Sequence, residues 1–278
     1  MKIVTDSTSD VPPALAAALG ITIVPQQVAI GDQIYQDGID LTGEEFYRLL
    51  HHTSAVPRTS QPALGRLEDA YRTLTADGFD VASVHVSSGL SGTYNVACLA
   101  AEAEGLGPGT ITVVDSQAVS MCLGWIAIYA ARAAEAGAPL PEVVALVEEM
   151  RGRVRILAAL DTLEYVQRSG RLGVASAFLG TMLAIKPILH MKQGTVQPLE
   201  KVRTMPRALQ RVVELTAAMG PLEALAVIDG DAAAEARHLA DMLAPVYPRD
   251  KMLLNHTGAG VGVHVGPRAV GVCALLAK

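Results

Sequence analysis

The segment Val81–Glu104, VASVHVSSGLSGTYNVACLAAEAE, constrains the fold more than any other stretch of the chain. Val81, Val84 and Val86 form the β-branched apolar run of a buried strand. Ser87-Ser88-Gly89-Leu90-Ser91-Gly92-Thr93 breaks that run, and an Ala-rich helix follows from about Tyr94. A strand, a Ser/Gly turn and a helix in this order aim unpaired backbone N–H groups and hydroxyls at one point, which suits an anion or carboxylate. Ser91 or Thr93 could equally be a plain helix cap. This stretch alone leaves both readings open.

The same grammar recurs along the chain. Lys2–Thr5 reads as a strand, followed by the polar loop Asp6–Asp10. A helix opens at Pro12-Pro13 and stops at Gly20, and Thr22–Val28 reads as a second strand. A hairpin is expected around Gly31-Asp32, a capping box at Thr42 and Glu45, and a loop over Thr53–Pro62 that holds Thr59-Ser60-Gln61-Pro62. Helix Ala63–Ala76, strand Ile111–Asp115 and an apolar helix near Met121–Ala136 complete an alternating pattern. Strands alternating with helices give a mostly parallel sheet covered on both faces. Ligands of such sheets sit beyond the carboxyl ends of the strands, where the loops at 6–10, 59–62 and 87–93 would meet. From about residue 154 the strands Arg155–Leu160, Pro187–Met191, Thr195–Val202, Leu225–Asp229 and Met252–Asn255 alternate with helices at 206–219 and 232–244. The expected fold is therefore α/β with two domains. Residues 1–153 form an α/β/α layer with a mostly parallel sheet, and 154–278 an α/β domain with a mixed sheet.

The net charge of −6 argues against affinity for nucleic acid or anionic membrane. Cys98, Cys122 and Cys273 lack CxxC or Cys/His spacing and read as buried thiols of a reducing compartment. No stretch has the look of a secretory leader or a membrane span, so a cytoplasmic protein without stable membrane insertion is expected.

The glycine-rich segments miss the better-known patterns. Gly258–Gly262 lacks the GxGxxG spacing, GxxxxGK[ST] is absent, and Thr93 stands where a GxSxG elbow requires glycine. No histidine pair has ligand spacing, so neither metal nor cofactor is expected. His264 lies between flexible Gly-rich backbone and the Gly266-Pro267 turn, where main chain can approach a ligand closely. Taken alone it could also be a hydrogen-bonded core histidine.

Together TSQP, SSGLSGTY and HVGP resemble the DegV family of bacterial fatty-acid-binding proteins. So do the opening KIVTDSTSD, LEYVQRSGR at 163–171, LAIKPIL at 183–189 and EKVRT at 200–204. One departure stands out: the family's HxGPGA turn reads His264-Val-Gly-Pro-Arg268-Ala269, with arginine in place of glycine. The resemblance implies two α/β domains enclosing one long-chain fatty acid such as palmitate. It further implies a non-catalytic binding subunit that presents the carboxylate to a separate, ATP-using fatty acid kinase subunit, for acyl phosphate formation and phospholipid synthesis. In those terms Thr59, Ser60, Ser91, Gly92, Thr93 and His264 would hold the carboxylate, and Arg203 would engage the kinase.

Physical chemistry is compatible with that expectation. A buried carboxylate needs several donors, or desolvation would neutralise it. Val174, Phe178, Met182 and Ile185 form an apolar stripe at helical spacing, either tunnel lining or ordinary core. Between Tyr165 and Leu215 eight cations face two carboxylates. That excess is either a solvated surface or a docking patch for an acidic partner, with Arg168, Arg171, Arg203 and Arg207 as its candidates. The alternative activity is that of an enzyme. The dihydroxyacetone kinase substrate domain is similar in fold and holds a carbonyl substrate covalently on histidine, a role His264 could fill.

Overall fold

Strand β1 (Lys2–Asp6) is the centre from which the N-terminal half is built. In this computed structural model, which describes residues 1–172 and 185–278, it pairs in parallel with β2 (Ile21–Val24) and β6 (Val81–His85). β7 (Ile111–Asp115) joins β6, giving the order β2-β1-β6-β7. Side chains alternate along β1, so its two faces need separate covers. Val4, with Val24 and Val81, packs beneath helices α3 (Leu64–Ala76) and α4 (Thr93–Ala101). Ile3, with Ala82 and Val84, packs beneath α5 (Met121–Glu135) and α6 (Leu140–Arg151). The expected three-layer arrangement is present.

The second sheet runs β10 (Thr195–Val202), β9 (Lys186–Lys192), β8 (Val154–Ala159), β13 (Ala269–Leu276), β11 (Leu222–Gly230), β12 (Leu253–His256). Only β11 and β12 are parallel neighbours, so the sheet is mixed. Helices α8 (Met205–Ala217) and α9 (Ala233–Met242) cover one face through Leu209, Val212 and Leu239. The other face, through Ala226, Ile228 and Cys273, meets α5. Trp125 Nε1 donates to the Cys273 carbonyl at 2.9 Å across that junction. Lying between two sheets explains why α5 is apolar all round, a pattern that otherwise suggests a membrane helix. Among the described residues no helix is long and apolar enough to cross a membrane.

Two departures from the sequence reading bear on the site. The strand expected over 22–28 breaks at Pro25-Gln26. β3 (Gln27–Ile30) leaves the parallel sheet and joins β4 (Gln33–Gln36) and β5 (Arg58–Ser60) in a small antiparallel sheet, so Thr59 lies on a strand and not in a loop. The glycine-rich stretch after Thr257, expected to be flexible backbone, is instead helix α10 (Ala259–Val265). Glycine is a poor helix former, but close packing decides here. A Cβ at Gly262 would meet the Phe46 ring at 2.8 Å, so α10 can sit against α2 (Gly43–His52) only with glycine there. The capping box of α2 forms as expected, with Glu45 N–H donating to Thr42 Oγ1 and Thr42 N–H to the Glu45 carboxylate.

Candidate functional site

The carboxyl ends of β1 and β6, strand β5 and helix α10 open onto one cavity of about 1060 Å³, including its mouth. Its walls are almost wholly apolar, with Val86, Ile156, Leu189, Val196, Ile228 and Val261 among them. Three of the polar side chains on its surface are Thr59, Ser91 and His264.

Thr59 and His264 are 205 residues apart, and their Oγ1 and Nε2 atoms lie 2.9 Å from one another. Burial first, and then the charge of Arg171, hold the His264 imidazole down to about 4, so it is neutral near pH 7. Nδ1 is buried with no hydrogen-bond partner among the described residues. An orphaned N–H is costlier than an orphaned ring lone pair, which favours the proton on Nε2, donated to Thr59. The Thr59 hydroxyl proton then remains for the cavity.

Ser91 is placed by a loop that folds back on itself, its N–H donating to the Ser87 carbonyl at 3.1 Å. Ser87 Oγ in turn donates to the Gly194 carbonyl at 2.6 Å, fixing the loop to the β9–β10 turn. Arg171 adds a second tie, Nε donating to the Leu90 carbonyl at 3.2 Å, and its side chain reaches the cavity wall. The sequence reading placed Arg171 among docking cations; the structure sets it in the cavity wall, near enough to His264 for its charge to act there.

The remaining expected residues divide. Thr93 is fully buried behind Ser91, its Oγ1 2.8 Å from Ser91 Oγ, and is not part of the wall. Ser60 points away from the cavity and donates to Gln27 Oε1 at 3.2 Å. Gly92 is exposed at the N-cap of α4 and also lies off the wall. Val174, Phe178 and Met182 lie outside the described residues. Ile185 is half-buried just before β9 and is not among the described wall residues. Gln26 was not expected at all and lines the cavity, with Nε2 donating to Thr93 Oγ1 at 2.8 Å and to Asp6 Oδ1 at 3.3 Å.

Asp6 is a buried hub. It accepts from Val86 N–H at 2.9 Å, His85 Nδ1 at 3.1 Å and both donors of Thr8. Burial pushes this carboxyl up, but the bonds from His85, Thr8 and Val86 and the adjacent imidazole outweigh it and hold Asp6 below its usual range. Asp6, His85 and Ser83 are linked in the order of a catalytic triad. Ser83 is fully buried and bonded to the Tyr71 hydroxyl, so no substrate reaches it. Among the described residues no group of His, Cys, Asp and Glu could hold a metal ion.

The cation-rich stretch carries less free charge than the sequence suggested. Arg168 pairs with Glu164, Lys186 with Asp161, Arg207 with Glu214, and Arg211 with both Glu200 and Glu214. Arg203 is exposed and has no carboxylate partner among the described residues. Arg268 adopts φ +61°, a backbone suited to glycine, and its guanidinium lies outward near Asp161 at 3.8 Å, not in the cavity wall.

The family model described as "Uncharacterised protein, DegV family" matches residues 1–277. The chain belongs to the DegV family. Protein DegV of Bacillus subtilis is 34% identical over 277 residues, covering 98% of both chains. A DegV domain-containing protein of Deinococcus radiodurans is 38% identical, covering 98% of this chain and 97% of its own. The crystal structure of DegV from B. subtilis, described as a fatty acid binding protein, superimposes with a TM-score of 0.90 at 32% identity, covering 99% of each chain. A fatty-acid-binding DegV family protein of Thermus thermophilus gives 0.88 at 34%, also over 99% of each chain. A stearic-acid-binding protein of Eubacterium ventriosum gives 0.89 at 25%, over 99% of this chain and 98% of its own.

Proposed function

We propose that the protein is a non-catalytic carrier of one long-chain fatty acid, bound with its carboxylate at Ser91, Thr59 and His264 and its tail in the apolar cavity. One observation carries this reading: a hydroxyl on β5 within 2.9 Å of an imidazole on α10, and a hydroxyl from the β6–α4 loop, line the same largely apolar cavity. Burying about 16 carbons contributes on the order of 10 kcal/mol before the costs of ordering. The head group keeps its charge because two hydroxyls donate to it and the Arg171 guanidinium is close by. The fatty-acid-binding proteins among the DegV structures support the same ligand class.

Denaturing extraction of the native protein followed by lipid mass spectrometry is expected to release about one fatty acid per chain. A covalent adduct on His264 would overturn the carrier in favour of an enzyme acting on a small carbonyl compound. A preparation that holds no lipid and takes up no added palmitate would overturn both.

Presentation of the carboxylate to a separate ATP-using kinase subunit rests on the family resemblance and on the exposed guanidinium of Arg203, which has no carboxylate partner among the described residues. The units 1–153 and 154–278 are read as the two domains that enclose the ligand. Replacing Arg203 and Arg207 with Glu is expected to weaken partner-dependent phosphorylation at least tenfold while palmitate affinity stays within about twofold, since neither lines the cavity. Equal loss of both properties would count against a docking role.

A further inference from the structure

The hydroxyl of Ser91 does not stand alone; it ends a chain of hydrogen bonds whose direction is set from within the fold. Ionised Asp6 has no proton to give, so the Gln26 atom facing its Oδ1 must be the amide nitrogen. The same nitrogen faces Thr93 Oγ1 at 2.8 Å, and Thr93 must accept there. The Thr93 hydroxyl proton is then left for its one other hydrogen-bonding neighbour among the described residues, Ser91 Oγ at 2.8 Å. Thr93 N–H adds a second, longer donation to the same oxygen at 3.3 Å. With two donors directed at it, Ser91 Oγ turns its own proton away from Thr93, toward the cavity it lines.

The geometry points to Asp6, Gln26 and Thr93 as positioning residues that make Ser91 an obligate donor and so select an acceptor-only head group, a carboxylate, over a head group that must itself donate. The inference rests on the carrier reading and adds to it the basis of head-group specificity. Thr93 and Asp6 would touch no ligand and act through Ser91.

The polarity of such a chain is separable from its packing. Thr93→Val keeps the shape and removes the hydroxyl, Thr93→Ser restores it, and Gln26→Met keeps length while removing both amide donors. Affinities for palmitate and for hexadecan-1-ol, measured side by side, read the head group with the tail held constant. Thr93→Val and Gln26→Met are each expected to weaken palmitate about threefold, because the Ser91 hydroxyl is kept but the donation that orients and polarises it is lost, while hexadecan-1-ol, which can then donate to the freed Ser91 lone pair, changes by less than about twofold. Thr93→Ser is expected to keep the wild-type ratio. Cooperative melting checks that each variant is folded; should one of the two fail to fold, the other decides. A folded Thr93→Val or Gln26→Met protein whose palmitate-to-alcohol ratio equals that of the wild type overturns the inference, as does parallel loss of both ligands. Wild-type protein that binds neither ligand would instead remove the carrier reading itself.

Discussion

Gly266→Ala is expected to destabilise the protein by at least about 3 kcal/mol and to weaken fatty-acid binding with it. Two independent costs act at this residue. Its backbone sits at φ 71°, ψ −178°, a region that is essentially reserved for glycine. A Cβ built there would also lie 2.7 Å from Cγ of the Tyr165 ring, which comes from α7 (Glu164–Arg168). Neither partner can move freely. Gly266 N–H closes the last turn of α10 on the Gly262 carbonyl at 2.9 Å, two residues beyond His264. Shifting that turn moves the imidazole off Thr59. Removing the ring separates the two costs: the double variant Tyr165→Ala, Gly266→Ala should lose less than the sum of the single changes, yet still fall short of Tyr165→Ala alone by about 1–2 kcal/mol of backbone strain. Urea melts of the four proteins check this. Simple additivity would mean that the ring and the new methyl group never meet.

The same turn shows how far residue patterns reach. Thr59, Ser91 and His264 were singled out by short tags at three distant points, and all three reach the cavity wall. Ser60 and Gly92, taken with them, do not. Thr59 turned out to lie on a strand, where side chains alternate, so its neighbour Ser60 points to the opposite side. A loop assignment carries no such alternation. Gln26 was invisible for a related reason: it stands where the chain leaves one sheet for another, and nothing in the run ITIVPQQVAI marks that switch except Pro25. α10 was hidden by its own glycines, whose intrinsic preference is against helix and whose use appears only when Phe46, Tyr47 and Asp37 are in place around them. The excess of cations misled differently. Arg168 finds Glu164 one turn earlier, a pair readable at i,i+4 spacing. Lys186 and Arg268 both approach Asp161, which lies outside the counted window.

Asp10 carries the other large expected effect. It is buried, with Ser120 Oγ donating to Oδ2 at 2.6 Å and Gly258 N–H to Oδ1 at 2.8 Å. Burial dominates over those two bonds, and the nearby carboxylates of Asp37 and Asp6 add to it, so the Asp10 carboxyl is pushed up to about 8. Asp37 is raised as well, again chiefly by burial. A carboxyl raised on folding is protonated in the native state and ionised in the unfolded chain over the interval between the two values. There the native state binds more protons, so stability falls as pH rises. His264, whose value is lowered on folding, acts in the opposite sense, but only between about 4 and its unfolded value near 6.5. The window from pH 6.5 to 8 therefore belongs to the aspartates. Asp10 contributes up to about 1.4 kcal/mol per pH unit, or about 2 kcal/mol across the window, and Asp37 acts in the same sense. Asn is isosteric with the protonated acid, and it tolerates the left-handed backbone of this position, φ 50°. Asp10→Asn is thus expected to raise stability at pH 8 by a few kcal/mol and to flatten the wild-type decline between pH 6.5 and 8. Denaturant melts of both proteins at half-unit pH steps measure the slopes directly. Parallel curves would show that Asp10 is ionised in the folded protein and balanced by a group other than Ser120 and Gly258.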